Sequence, residues 1–224
     1  MAAIWMGGVS RAPLAVQGRR PAPAVTPDEQ GLRALLLDCA ADRQDPATLA
    51  VSGVLANAFA RHGVSLLPIP GLDARETRRL MRCWVAGADQ ILGLDWFELT
   101  RMDRHEPRAD EIEDVAALLV DAAHEGRDVD AARWLAQIIS VACLGADHLW
   151  QDLHLRSRAD LSSLLQDWFP ALAARNTNNM KWKKFFYKQL CERAELQICK
   201  SPSCAACSDY ALCFGPEEAG DSTR

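Results

Sequence analysis

The sequence predicts an all-α fold, a single multi-helix domain that ends in a cysteine-rich loop. Three observations carry this. Ala and Leu dominate the apolar residues while Val and Ile are few, and β-branched side chains lose rotamer freedom in helices. Apolar positions recur at steps of three and four along most of the chain. Finally, four of the eight cysteines crowd between Cys199 and Cys213.

The elements follow in order. Residues 1–27 are rich in Ala, Pro, Gly and Arg, lack periodicity, and are expected to form a disordered extension. Thr26-Pro27-Asp28-Glu29 supplies a cap, a first helical position and an acidic first turn. Helices are expected over 28–41, 46–61 and 73–88, the last aligning Thr77, Leu80, Met81, Trp84 and Ala88 on one face, with Pro68, Pro70 and Gly71 in the loop before it. The clearest periodicity lies at 108–124 (Ile112, Val115, Leu119, Ala122) and 128–143 (Ala131, Leu135, Ile138, Ala142). Only Glu125, Gly126 and Arg127 separate these two, which makes them antiparallel neighbours. A short helix from Asp147, one at 157–168 started by Ser157, and a long amphipathic one at 178–194 complete a helical domain over 28–195. The cysteine-rich segment then occupies 196–218, and 219–224 form a flexible tail.

Composition limits the function. With 224 residues and 49% hydrophobic positions the chain buries a sizeable core without disulfide staples. A formal charge of -5 argues against a nucleic-acid partner, which demands dense positive charge. Apolar runs such as Val115 to Val120 and Leu135 to Leu144 stop well short of the ~20 residues that span a bilayer, so no membrane partner is expected. Gly7, Gly8, Pro13, Pro21 and Pro23 break every candidate signal peptide, and a cytoplasmic location is the expectation.

Cys199, Cys204, Cys207 and Cys213 form C-x4-C-x2-C-x5-C. Thiolates so close in sequence converge on one centre, and soft sulfur ligands select zinc, copper(I) or an iron-sulfur cluster over hard ions. Structural zinc usually pairs two knuckles across a longer gap, whereas three cysteines in one short run with a fourth nearby is closer in style to iron-sulfur segments. Both remain open from spacing alone, as does a plain set of buried thiols. On the preceding helix Trp182, Phe185, Phe186 and Gln189 gather on one side, and Lys181, Lys184, Lys188 and Cys191 share the other. The lysines are either a solvated face or a docking surface for an acidic partner or an anion such as molybdate. If Asp147 caps the short helix, His148 and Asp152 share a face, as ligand and orienter or as local hydrogen-bonding groups. Cys143 and Cys191 read first as packing residues, although Cys191 is kept among the candidates near the metal.

Three stretches carry a family resemblance: Cys143-LGADHLWQDL to Leu153, Asn179-MKWKKFFYKQLCER to Arg193, and the cysteine motif ending in Cys213-Phe214-Gly215-Pro216-Glu217-Glu218. Together they resemble NifQ, the nitrogen-fixation molybdenum-supply family, over about residues 110–218. The resemblance implies a carrier of a molybdenum-iron-sulfur cluster of Mo-Fe3-S4 type. Such a cluster is assembled on an iron-sulfur precursor with molybdate as metal source and delivered for the iron-molybdenum cofactor of nitrogenase. It implies Cys199, Cys204, Cys207 and Cys213 as the cluster ligands, which makes 196–218 the cluster-binding segment. The implied partners are the nitrogenase cofactor scaffold protein and the nitrogenase reductase. Three thiolates suffice for three irons, and molybdenum needs its own ligands. His148, Asp152 or Cys191 are candidates to complete that coordination or to tune how easily molybdenum leaves. A cluster on a terminal segment suits a donor, because such segments open at low cost. The competing readings are an interaction module with a structural four-cysteine zinc site and an electron carrier with a four-iron cluster. No nucleophile elbow, His-Glu-x-x-His or nucleotide loop is present, so no enzyme activity is expected.

Overall fold

The computed structural model describes residues 28–102, 105–195 and 210–217. The expected N-terminal extension, most of the cysteine-rich segment with Cys199, Cys204 and Cys207, and the terminal tail lie outside the described residues. Every regular element among the described residues is a helix, in agreement with the expected all-α class.

The body is built from α1 (Glu29–Asp38), α2 (Pro46–His62), α3 (Ala74–Trp84), α4 (Ala88–Ile91), α5 (Trp96–Leu99), α6 (Ala109–Val120), α7 (Val129–Cys143), α8 (Leu149–Asp152), α9 (Arg158–Trp168), α10 (Pro170–Ala173) and α11 (Trp182–Arg193). A last short helix, α12 (Tyr210–Phe214), carries Cys213. Within the expected cysteine-rich loop, Tyr210–Phe214 are therefore helical.

Two helices form the centre. Twelve of the seventeen residues of α2 and eleven of the fifteen of α7 are buried, so both are covered on nearly all sides. The helices α1, α7 and α9 pack on α2, while α3, α6 and α8 pack on α7. The expected pairing of the helices around 108–124 and 128–143 is present as the α6–α7 pair. One contiguous core runs from Leu36 through Leu55, Leu80, Leu119, Leu135 and Leu165 to Phe186. Each such buried side chain contributes roughly 1.5–3 kcal/mol of apolar burial.

Local chemistry sets the ends. Asp28, not Thr26, caps α1, its side chain accepting from the Gly31 N–H at 2.8 Å. Asp73 and Glu76 form a reciprocal capping box at the start of α3. That helix stops at Trp84 rather than continuing to 88, because Val85 leaves helical geometry and Gly87 takes a left-handed φ of 87° before α4 begins. The helix expected to 124 ends at Val120, and the His124 N–H donates instead to the Trp168 carbonyl at 2.8 Å. The helix expected from 178 starts at Trp182. The side chain of Asn176 brackets the N–H and carbonyl of Met180 at 2.8 and 2.9 Å, and Asn179 has a φ of 54°, so this stretch is held as a turn.

No helix among the described residues is long and apolar enough to cross a membrane.

Candidate functional site

Cys213 is half-buried, and its carbonyl accepts from the N–H of Lys181 at 2.8 Å, which fastens α12 to the residue that opens α11. The sequence of α11 explains why it makes a firm base. Trp182, Phe185, Phe186 and Gln189 are buried, as the helical wheel predicts, and the three aromatic rings meet at centroid distances of 5.7 to 6.2 Å. The Trp182 indole donates to Ser162 Oγ at 3.2 Å, joining α11 to α9. On the other side Lys184 and Lys188 are exposed, while Lys181 and Cys191 are half-buried. Lys188 pairs with Glu192 one turn on, at 3.6 Å.

The carboxyl end is also fixed beyond Cys213. The Glu217 carboxylate, its side chain only 4% exposed, lies 3.6 Å from Arg158 at the start of α9. The same guanidinium donates to the carbonyls of Asn179 and Met180, both at 2.9 Å.

Asp152 stands where the sequence places it on α8, but its partner differs from the expectation. His148, not Asp147, occupies the N-cap of α8 with extended backbone geometry, and its N–H donates to Gln151 Oε1 at 3.1 Å. The four-residue spacing therefore does not put His148 and Asp152 on one helical face, because His148 lies outside the helical repeat. The Asp152 carboxylate is instead paired with Lys183, whose ammonium also donates to the Gly145 carbonyl at 2.8 Å. Burial raises the Asp152 carboxyl above the usual carboxylate range, and the Lys183 hydrogen bond works against that rise. Gly145 is required here, since a Cβ at this position would collide with the Asp152 carboxylate.

A second set of polar groups adjoins this pair. Tyr187, one turn beyond Lys183, donates to Glu111 of α6, and Arg108 grips the same carboxylate through Nε and Nη2 at 2.7 and 2.6 Å. The Arg108 hydrogen bond holds the Glu111 carboxyl below its ordinary value, while burial and the bond to Glu111 push the Tyr187 hydroxyl up. Buried Cys143 lies within the field of Lys183, Asp152, Glu111 and Arg108, and burial drives its thiol to about 12. It is thus a protonated packing residue, as its sequence context suggests.

Two cations and two carboxylates cancel in this network, which leaves a bracing role for α11 and no activated nucleophile. Sequence reasoning missed Lys183, Tyr187, Glu111 and Arg108. The signal was the wheel itself: Lys183 and Tyr187 fall on the boundary between the aromatic and lysine faces of α11, where a long polar side chain reaches a neighbouring helix.

Among the described residues no group of three or more His, Cys, Asp or Glu side chains is placed to hold a metal ion. His148, Asp152 and Cys191 thus make no such centre by themselves. A cavity of about 420 Å³ between residues 67–75 and 99–102 is lined by none of the candidate residues. Another, of about 350 Å³, adjoins them and is lined by Arg175, Lys188, Gln189, Glu192 and Phe214 among others.

Comparison with known proteins agrees with the family resemblance. The NifQ family profile matches residues 50–215, a stretch that contains all four clustered cysteines and α11. Protein NifQ of Azotobacter vinelandii is 46% identical over 165 residues, covering 70% of this chain and 83% of that one. Protein NifQ of Rhodobacter capsulatus is 39% identical over 140 residues, 61% of this chain and 77% of its own. Protein NifQ of Klebsiella pneumoniae is 51% identical over 82 residues, 36% of this chain and 48% of its own. No solved structure matches. With about three-quarters of its length inside the family profile, the chain belongs to the NifQ family.

Proposed function

We propose that this protein is a molybdenum donor that carries a molybdenum-iron-sulfur cluster for biosynthesis of the nitrogenase iron-molybdenum cofactor. Membership of the NifQ family, with the role in nitrogen fixation that it implies, supports the reading. The observation that carries it is the position of the cysteine quartet: Cys199, Cys204, Cys207 and Cys213 all fall inside the family-matched stretch, and four thiolates form a donor set suited to iron and molybdenum. The cluster is cargo. In this reading α11 and the body under it serve as base and docking surface, and the thiolates bind the cluster.

An anionic thiolate-ligated cluster gains from nearby positive charge, and Lys181, whose N–H holds Cys213, and exposed Lys184 supply it. His148, Asp152 and Cys191 remain the candidates for completing or tuning molybdenum coordination. Asp152 would act in that role only by sharing its carboxylate with Lys183. The receiving partners in this reading are the cofactor scaffold protein and the nitrogenase reductase, with molybdate as metal source and a cytoplasmic site of action. The protein itself runs no catalytic cycle.

Oxygen-free purification from molybdate-fed cells, followed by iron, molybdenum and sulfide quantification, tests the proposal. Iron and sulfide with molybdenum in a brown protein, lost when the four cysteines become alanine, is the expected result. One zinc per chain in a colourless protein would replace it with an interaction module, and iron and sulfide without molybdenum with a four-iron electron carrier.

A further inference from the structure

Arg158 is the meeting point of three segments distant in sequence. It opens α9 behind the Ser157 cap, its Nη2 holds the two carbonyls just before α11, and its Nη1 faces the Glu217 carboxylate. Its side chain is 19% exposed, that of Glu217 4%. Arg158 Nε is buried without a hydrogen-bond partner among the described residues, and Glu217 is the counter-charge that faces the guanidinium there. When a carboxylate and a guanidinium are this far withdrawn from water, removing one of them leaves the other without compensation, so the arrangement is sensitive to loss of either partner.

The location gives the pair its consequence. Glu217 is four residues beyond Cys213, and among the described residues the backbone tie from Cys213 to the body runs to Lys181, on the same stretch whose carbonyls Arg158 holds. Arg158 therefore grips both sides of that junction, the start of α11 and the chain just after α12.

We propose that Arg158 and Glu217 form a latch that sets how tightly the Cys213 end of the cysteine-rich segment is held against α11. On the function proposed above, the latch controls how readily the cargo becomes accessible. The two residues are positioning residues and do not themselves touch the cluster. Glu217→Gln keeps the shape and the Arg158 bonds to the two carbonyls while removing the charge that completes the latch.

The test uses the full chain, metal-free and reduced, with iodoacetamide labelling followed residue by residue by mass spectrometry. In Glu217→Gln, Cys213 is expected to react about tenfold faster than in the unaltered protein, while buried Cys143 stays slow and exposed Cys83 is unchanged. Glu217→Asp, which restores the charge, should recover most of the protection. A Cys213 rate within twofold of the unaltered protein overturns the latch, and so does a rise at Cys143 equal to that at Cys213, which would report general unfolding. This readout needs no metal. A protein that never loads iron or molybdenum would sink the donor reading and leave the latch to stand or fall on the labelling. In loaded protein, Glu217→Gln should release iron to a chelator faster by a similar factor.

Discussion

The Lys183 ammonium bridges the Asp152 carboxylate and the Gly145 carbonyl, so a single side chain of α11 ties the turn after α7 to the last residue of α8. Both side chains are mostly withdrawn from water, at 18% and 15% exposure. The lysine that braces the candidate site is thus the one that the wheel leaves out of the exposed stripe.

Removing one partner leaves a buried charge without compensation. Lys183→Ala and Asp152→Ala are each expected to lower stability by about 2–4 kcal/mol, less than a fully buried pair would because some solvent reaches it. Replacing both at once with apolar residues of similar size should recover most of the loss. Urea unfolding of the two single variants and the double variant measures the cycle, and losses that simply add would refute the pairing energy.

Tyr187→Phe deletes the donor to Glu111 and leaves Arg108 in place. A loss of about 1 kcal/mol is expected. An unchanged denaturation midpoint would show that Arg108 alone satisfies that carboxylate.

Cys143 supplies a pH dependence. Its folded thiol, raised from 9.0 to about 12, lies above the value in the unfolded chain. Its contribution is then fully present below about pH 9 and is lost as pH rises toward 12, since only the unfolded state ionises in that window. Between pH 8 and pH 10 the unaltered protein should lose roughly 1 kcal/mol more stability than Cys143→Ala. Parallel denaturation curves at the two pH values test this, and equal losses would count against it.

Charge reversal at Lys181, Lys184 and Lys188 should slow molybdenum transfer to the receiving protein, with the defect shrinking as salt rises. Transfer that ignores both the substitutions and the salt would remove these lysines from the docking surface.

Replacing His148 or Cys191 with Ala should lower the molybdenum-to-iron ratio of the loaded protein while iron is retained. For Asp152 the informative change is Asn, which keeps the shape between Lys183 and Gly145. Ratios equal to the unaltered protein in all three would take these residues out of molybdenum coordination.

Much of the fold was legible in the chain itself. Helical periodicity located the long helices, and the burial of Trp182, Phe185, Phe186 and Gln189 follows the wheel of α11. These are local properties, fixed by which side chains recur every three to four residues. Boundaries were less legible, because Val85, His124 and Asn179 leave helical geometry or bonding for reasons of turn chemistry and distant partners. The four-residue, one-turn elements α4, α5 and α10 are too short to show a period.

By itself the sequence determined the helical class, the cysteine quartet and the family likeness, all of which depend on residue type and spacing along one chain. Only the tertiary structure decided that Asp152 answers to Lys183 and not to His148, that Glu111 joins Arg108 to Tyr187, and that Arg158 meets Glu217. The physical reason is that a charge withdrawn from water takes whichever counter-charge the packed helices bring within reach, and that neighbour is set by the arrangement of the whole core.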